Sequence, residues 1–255
     1  MCPRRGYFTE KRAGKAITRY NMIGDGDKIL VAVSGGKDSS SLLRILQMRK
    51  KWVPIDYEVK AIHVLTDYDP DPEGKEDELK KFFTSLGCEY VIKRIKIAEN
   101  NKLKREDCFW CAWNRRKAIF QTAEEIGFKK VALGHHKDDV VETILMNLFF
   151  NGEISSINPV QELFDGRITI IRPLILLEEK ELAVYARDNA LPVISSKCAR
   201  NRDSKRKLVK NILSELHRSG PKQDVKSNIL NALSRIKLDY ITPMGGQDDL
   251  DDVPG

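Results

Sequence analysis

Residues 29–39 read Ile-Leu-Val-Ala-Val-Ser-Gly-Gly-Lys-Asp-Ser, and no other stretch restricts the fold as much. The apolar run, rich in valine and isoleucine, reads as a strand buried on both faces, the kind found in parallel sheets with helical crossovers. Gly35 and Gly36 let the backbone turn sharply and approach a ligand with no Cβ in the way. Asp38, Ser39 and Ser40 then open a helical pattern that runs to Lys50. The unpaired N–H groups of a helix start, with the positive end of its dipole, attract an anion. Strand, glycine turn and helix start together point to the phosphates of a nucleotide.

Residues 34–39 fit neither the Gly-x-x-x-x-Gly-Lys-Ser/Thr spacing of a Walker loop nor the Gly-x-Gly-x-x-Gly of a dinucleotide fold. Ser34-Gly-Gly-Lys-Asp-Ser39 instead resembles the pyrophosphate loop of the PP-loop ATPases, which cleave ATP between the α and β phosphates and adenylate a carbonyl or carboxylate oxygen. The resemblance implies that Ser34, Gly35, Gly36, Lys37, Asp38 and Ser39 bind ATP, with Asp38 also catalytic. A tight turn without a ligand is the plain alternative, and six matching residues between a strand and a helix weigh against it. The acceptor stays open at this point, because the superfamily includes synthetases for GMP, NAD, asparagine, lysidine and thiolated tRNA.

The rest of the chain alternates consistently. Tyr57 to Leu65 reads as a second strand, Lys75 to Leu86 as a helix, Tyr90 to Ile95 as a third strand and Ala112 to Ile126 as a long helix. Lys130 to Leu133 follows as a strand, Asp139 to Phe150 as a helix, Thr169 to Ile171 as a short strand and Glu178 to Asn189 as a helix. This order predicts an α/β fold with an open, doubly wound parallel sheet, and the PP-loop resemblance implies its adenine nucleotide α-hydrolase-like form. Ligands bind such sheets at the carboxyl ends of the strands, which gathers Ser34–Ser39, Leu65–Asp67 and Gly134–Asp139 along one rim. His63 and Leu65 are the nucleotide contacts expected from the second strand. By composition, residues 1–26 form a basic arm, 27–204 the nucleotide domain, 205–242 a helical extension and 243–255 a disordered acidic tail.

The chain has five cysteines in 255 residues, too few for a disulfide scaffold, and no apolar leader follows Met1. A reducing, cytoplasmic location is the expectation. There, Cys108-Phe-Trp-Cys111 reads as metal-binding or redox-active, since its spacing lets two thiolates share one zinc ion or iron–sulfur cluster. Cys198 is the candidate third ligand, while Cys88 reads as an ordinary buried thiol. Phe109 and Trp110 shield a cluster, stack on a base or simply pack.

Cys108-x-x-Cys111, placed between the PP-loop and Gly134-His-His-Lys-Asp-Asp139 and followed by Cys198, resembles the tRNA 2-thiocytidine synthetases, the TtcA-like branch of the PP-loop enzymes. In that family three cysteines hold a [4Fe-4S] cluster and leave one iron free to carry the sulfur. The resemblance implies that Cys108, Cys111 and Cys198 are those ligands and that the activity is ATP-dependent thiolation at C2 of a tRNA base, most simply a cytidine. It also implies that Gly134 and His135 meet ATP, that Asp138 or Asp139 places Mg²⁺ or the reacting groups with Asp139 catalytic, and that Arg115 stabilises charge at the reacting carbonyl. Helix capping is the structural use of Asp139, and a solvated face that of Arg116 and Lys117. One departure stands out: Ser195 and Ser196 precede a single Cys198 where the family often has a second Cys-x-x-Cys. The related 2-thiouridine synthetases usually carry zinc fingers at both ends, and one cysteine before residue 88 with none after 198 argues against that group.

A net charge of +7, with seven lysines or arginines against one aspartate between Lys197 and Lys210, suits a tRNA partner. Further expectations are a sulfur donor, either a cysteine desulfurase or free sulfide, no membrane span, and a homodimer as the assembly to consider. Two other classes compete. One is a lysidine-type amide ligase with structural zinc, and the other is an RNA-binding protein with a relic nucleotide fold.

Overall fold

In the computed structural model, which describes residues 6–69, 71–97, 108–194, 204–219 and 224–240, helix α1 (Tyr7–Arg19) precedes strand β1 (Asp27–Ala32). Helix α2 (Lys37–Arg49), strand β2 (Tyr57–Thr66), helix α3 (Pro72–Ser85) and strand β3 (Glu89–Ile95) follow. Next come helix α4 (Cys108–Glu125), strand β4 (Lys130–Ala132), helix α5 (Lys137–Phe150) and strands β5 (Val160–Leu163) and β6 (Ile168–Ile171). Helices α6 (Glu179–Asp188), α7 (Ser204–Ser219) and α8 (Val225–Ala232) and a 3-10 turn (Leu238–Tyr240) end the described chain. The proposed acidic tail lies outside the described residues.

The strands form one sheet in the order β3-β2-β1-β4-β6-β5, parallel except for the β5–β6 pair. Its centre is β1, where Val31 stands opposite Ala61 on one side and Ala132 on the other. Both faces are covered. Leu30 packs with Ile62, Val64, Phe128 and Val131, whereas Ile29 and Val31 pack with Leu42, Leu46, Leu79 and Phe83. A central strand with no polar face must be apolar at every position, which is why its run does not alternate. The strand order reverses direction across β1 and β4, so a crevice opens at their carboxyl ends.

Some boundaries differ from the sequence reading for local reasons. Helix α3 begins at Pro72, because the Asp71 carboxylate accepts from Gly74 N–H at 3.0 Å and proline suits the first helical position. Strand β5 is a polar edge strand, Val-Gln-Glu-Leu, whose pattern carries little signal. Residues 7–19, read above only as part of a basic arm, form a helix. Its Ala13, Ala16 and Ile17 enter the core at helical spacing. Ile17→Ala is expected to lower the unfolding free energy by about 2–5 kcal/mol, read from urea titration. A loss under about 0.5 kcal/mol would show that α1 merely rests on the surface.

Cys88 is buried after α3, with its Sγ donating to the Val59 carbonyl at 3.7 Å. Burial pushes its thiol up and makes it a poor ligand. Among the described residues no helix is long and apolar enough to cross a membrane.

Candidate active site

The turn after β1 is held by its own serines. Ser39 Oγ accepts from Ser34 N–H at 3.1 Å and donates to the Gly36 carbonyl at 3.0 Å, and Ser34 Oγ lies 3.1 Å from it. Gly35 has φ +91°, a left-handed conformation strained for any other residue, and its carbonyl accepts from Ile194 N–H at 2.9 Å. The chain leaving α6 is thereby strapped over the turn. Gly36 caps α2 without a side chain, so the first N–H groups of that helix stay open to a ligand.

Across the crevice, Gly134 follows β4. A Cβ built on it would stand 3.1 Å from Ser39 N. Any side chain there would push the start of α2 back by a few tenths of an ångström, so glycine favours the close packing of the β4 loop on that helix. Between the loops lies a cavity of about 280 Å³. Ser34, Gly36, Asp38 and Ser39 line one side, Gly134 and His135 the other, and Ala32, Ile62, Val64, Ile119 and Leu133 give it apolar walls. An apolar slot that ends at a helix N-terminus suits a nucleoside followed by phosphates.

Val33, His63 and Arg115 complete the lining, whereas Gly35, Lys37, Leu65, Asp138 and Asp139 are not part of it. Leu65 is buried in β2, beyond the stretch of that strand, Ile62 to Val64, that borders the cavity. His63 Nδ1 is 2.5 Å from the Val33 carbonyl, which assigns it the proton and leaves Nε2 an acceptor. His135 has the opposite tautomer, because Arg172 Nε donates to its Nδ1 at 3.2 Å. Burial lowers both rings to about 4, helped at His135 by Arg172. The unfolded chain binds the protons more readily than the folded chain between pH ~4 and ~6.5, so stability should rise with pH across that window. A lower urea midpoint at pH 5 than at pH 7 is expected, with a smaller difference in His63→Asn. An unchanged difference in that variant would assign the effect elsewhere.

The sequence reading missed a cluster behind the turn. Asp69 Oδ2 accepts from the Thr66 N–H and hydroxyl, both at 2.9 Å, and from Arg115 Nη2 at 2.8 Å. Its Oδ1 accepts from Lys75 at 3.0 Å. Burial alone would raise this carboxylate, but the Thr66 hydrogen bond and the Arg115 and Lys75 charges hold it near 2. An acidic residue just after a parallel strand, on the ligand rim, was the signal available.

Lys37 turns away from the cavity. Its ammonium sits 2.9 Å from Glu179 and 3.2 Å from Asp38 Oδ2. Asp38 Oδ1 is buried with no partner among the described residues, and burial raises that carboxyl despite Lys37. His136 diverges from His135 toward Asp38, Asp138 and Asp139. Asp139 caps α5 from its third position, accepting from His136 N–H at 2.9 Å. Asp138 is committed to Glu179 N–H at 2.8 Å and to Lys226. Arg206 and Lys210 of α7 lean on Glu142, which is 3% exposed, so part of the basic run is internal.

Cys108 and Cys111 fall one turn apart at the start of α4, and Cys111 is half-buried. The Cys108 side chain and Cys198 lie outside the described residues. Among those described, no group of three or more His, Cys, Asp or Glu could hold a metal ion. Trp110 stacks on Trp113 at 5.0 Å, and Phe109 is exposed.

Residues 9–216 match the PP-loop domain. The chain is 35% identical over 247 residues to the tRNA-cytidine(32) 2-sulfurtransferase of Geobacter sulfurreducens, covering 94% of each chain. The Pseudomonas putida protein of that name is 38% identical over 214 residues, 82% of this chain and 77% of that one. Among solved structures, the U34-tRNA thiolase NcsA from Methanococcus maripaludis, with its [4Fe-4S] cluster, superimposes with a TM-score of 0.75 at 24% identity, covering 98% of this chain and 85% of that one. The NMN synthetase of Francisella tularensis shares the fold more distantly, with a TM-score of 0.53 at 12% identity over 96% of this chain and 99% of that one.

Proposed function

The chain belongs to the PP-loop family and, within it, to the tRNA-cytidine(32) 2-sulfurtransferases, and on that premise we propose that it replaces the C2 oxygen of cytidine 32 in tRNA with sulfur in an ATP-dependent reaction. One observation carries the reading. Arg115, one helical turn after Cys111, lines the same cavity as Ser34, Asp38, Ser39 and Gly134.

In this reading the nucleoside of ATP occupies the apolar slot, and its phosphates meet Ser34, Ser39 and the open N–H groups of α2. The C2 oxygen attacks the α phosphate and pyrophosphate leaves, which turns a poor leaving group into AMP. Arg115 faces the negative charge that develops on the reacting atoms. A sulfide then attacks C2 and AMP departs, with no net oxidation. The orphaned Asp38 Oδ1 suits a hard cation, and a Mg²⁺ ion would be held there and by Asp139, since both Asp138 oxygens are already engaged.

Cys108, Cys111 and Cys198 would hold a [4Fe-4S] cluster. The first two fit by their places in the chain, one turn apart at the start of α4, where the dipole favours thiolates. Ile194 donates its N–H to the Gly35 carbonyl of the PP-loop, and Cys198 follows it by four residues along the chain, which supports including it in the set. When bound, a cluster with three thiolate ligands supplies an iron with an open position for sulfur. The base must leave its stack to reach the crevice.

The test is mass spectrometry of nucleosides from tRNA incubated anaerobically with the iron-loaded protein, ATP, Mg²⁺ and sulfide. It should show 2-thiocytidine only with ATP. Thiouridine instead would overturn the base assignment, and a requirement for a cysteine desulfurase would name the donor. The α7 surface offers a second test. Arg206 must be spared, because reversing it would set two carboxylates together at buried Glu142. Reversing exposed Lys205 and Lys207 to glutamate should weaken tRNA binding and reduce its salt slope by roughly 0.7–0.9 per lost phosphate contact. ATP affinity should stay unchanged, and an unaltered slope would return α7 to a plain solvated face.

A further inference from the structure

We infer that Asp69 is a positioning residue whose buried carboxylate holds the Arg115 guanidinium at the mouth of the nucleotide cavity while Lys75 steadies the carboxylate from the opposite side. The inference rests on the reading that Arg115 acts on the reacting groups. The Asp69 side chain is 2% exposed and that of Lys75 5%, whereas that of Arg115 is 28% exposed and reaches the cavity. The anchor is therefore dry and its outer end open. Asp69 is itself held by its own loop, with Thr66 donating twice to the carboxylate and Asp69 N–H returning to the Thr66 carbonyl at 3.1 Å. That loop ends β2, a strand hydrogen-bonded to β1, so α4 and the PP-loop strand are referred to one rigid point.

The charges do not cancel. Two cations face one carboxylate, which leaves one positive charge beside the cavity. A buried pair serving only stability needs a single cation. The Arg115 side chain is 28% exposed beyond this buried anchor, so the guanidinium still presents an open edge to the cavity. The field of Lys75 and Arg115 reaches the cavity wall, where it helps burial to keep His63 neutral. An excess positive charge, fixed before the substrate arrives, is the arrangement that stabilises a phosphoryl or oxyanion charge without reorganisation.

A double-mutant cycle separates this role from a structural one. Asp69→Asn should lower kcat by about a hundredfold while KM for ATP changes little, because a misplaced group costs the transition state more than ground-state binding. In an Arg115→Ala background the same change should lower kcat by less than about threefold. Equal losses in both backgrounds would overturn the proposal. A full-rate Arg115→Ala protein would sink both it and the role given to Arg115. A second readout needs no turnover. In protein labelled with ¹⁵N-arginine, the Arg115 side-chain signal should be resolved in the wild type and merge with the mobile arginines in Asp69→Asn. If that variant does not fold, Lys75→Met, which removes the cation on the far side of the carboxylate and touches no atom of Arg115, should broaden the signal partway. An ordered Arg115 signal in whichever variant folds would overturn the anchor, whatever the activity.

Discussion

Replacing Ser39 with alanine is expected to reduce ATP-dependent turnover at least about a hundredfold while leaving the chain folded. The hydroxyl is the knot of the PP-loop, bonded to Ser34 N–H and the Gly36 carbonyl and touching Ser34 Oγ. Two hydrogen bonds lost at about 1 kcal/mol each would leave most of a domain's usual stability in place. Function depends on more than that energy. Ser34 Oγ and the start of α2 must face the crevice before ATP arrives, and Ser39, bonded to Ser34 N–H and the Gly36 carbonyl, fixes their directions. Pyrophosphate release with tRNA present, alongside circular dichroism, measures both halves. A variant working within about threefold of the wild-type rate would show that the loop is not where phosphates are held.

Cys111→Ala is expected to abolish both iron retention and thiolation, and Cys88→Ala to leave both intact. Cys111 lies at the start of α4, one turn from Cys108 and four residues before Arg115. Cys88 is packed under β2, its thiol raised by burial. A ligand shared by three thiolates loses more than a third of its binding when one is removed, because the remaining pair cannot close the site. Iron and sulfide analysis of anaerobically purified protein reads the outcome directly. Full iron in Cys111→Ala would remove this cysteine from the ligand set, and loss of iron in Cys88→Ala would redirect the assignment.

The central strand, the glycine turn and the alternation of strands with helices could be read along the chain because each depends on neighbours a few residues apart. Gly35 needs its positive φ wherever the chain turns this way, and an apolar run of valine and isoleucine states its own burial. Helix α1 escaped notice because its basic residues hide a narrow stripe of Ala13, Ala16 and Ile17. Lys37 shows what spacing along the chain leaves out. Its place in the motif implies a phosphate contact, and the fold sets its ammonium beside Glu179, a residue 142 positions away.

What the sequence determined by itself was therefore the sheet, the rim on which ligands bind and the residues that form the PP-loop, since local propensity and spacing suffice for those. What only the tertiary structure decided was how the charges pair. Asp69 joins Lys75 to Arg115, Asp138 goes to Lys226 and the α6 backbone, and Arg172 sets the tautomer of His135. The reason is physical. A charged side chain reaches several ångströms in any direction and costs most when buried alone, so its partner is whichever opposite charge the packing of distant elements brings within hydrogen-bond distance, and no pattern along the chain records that choice.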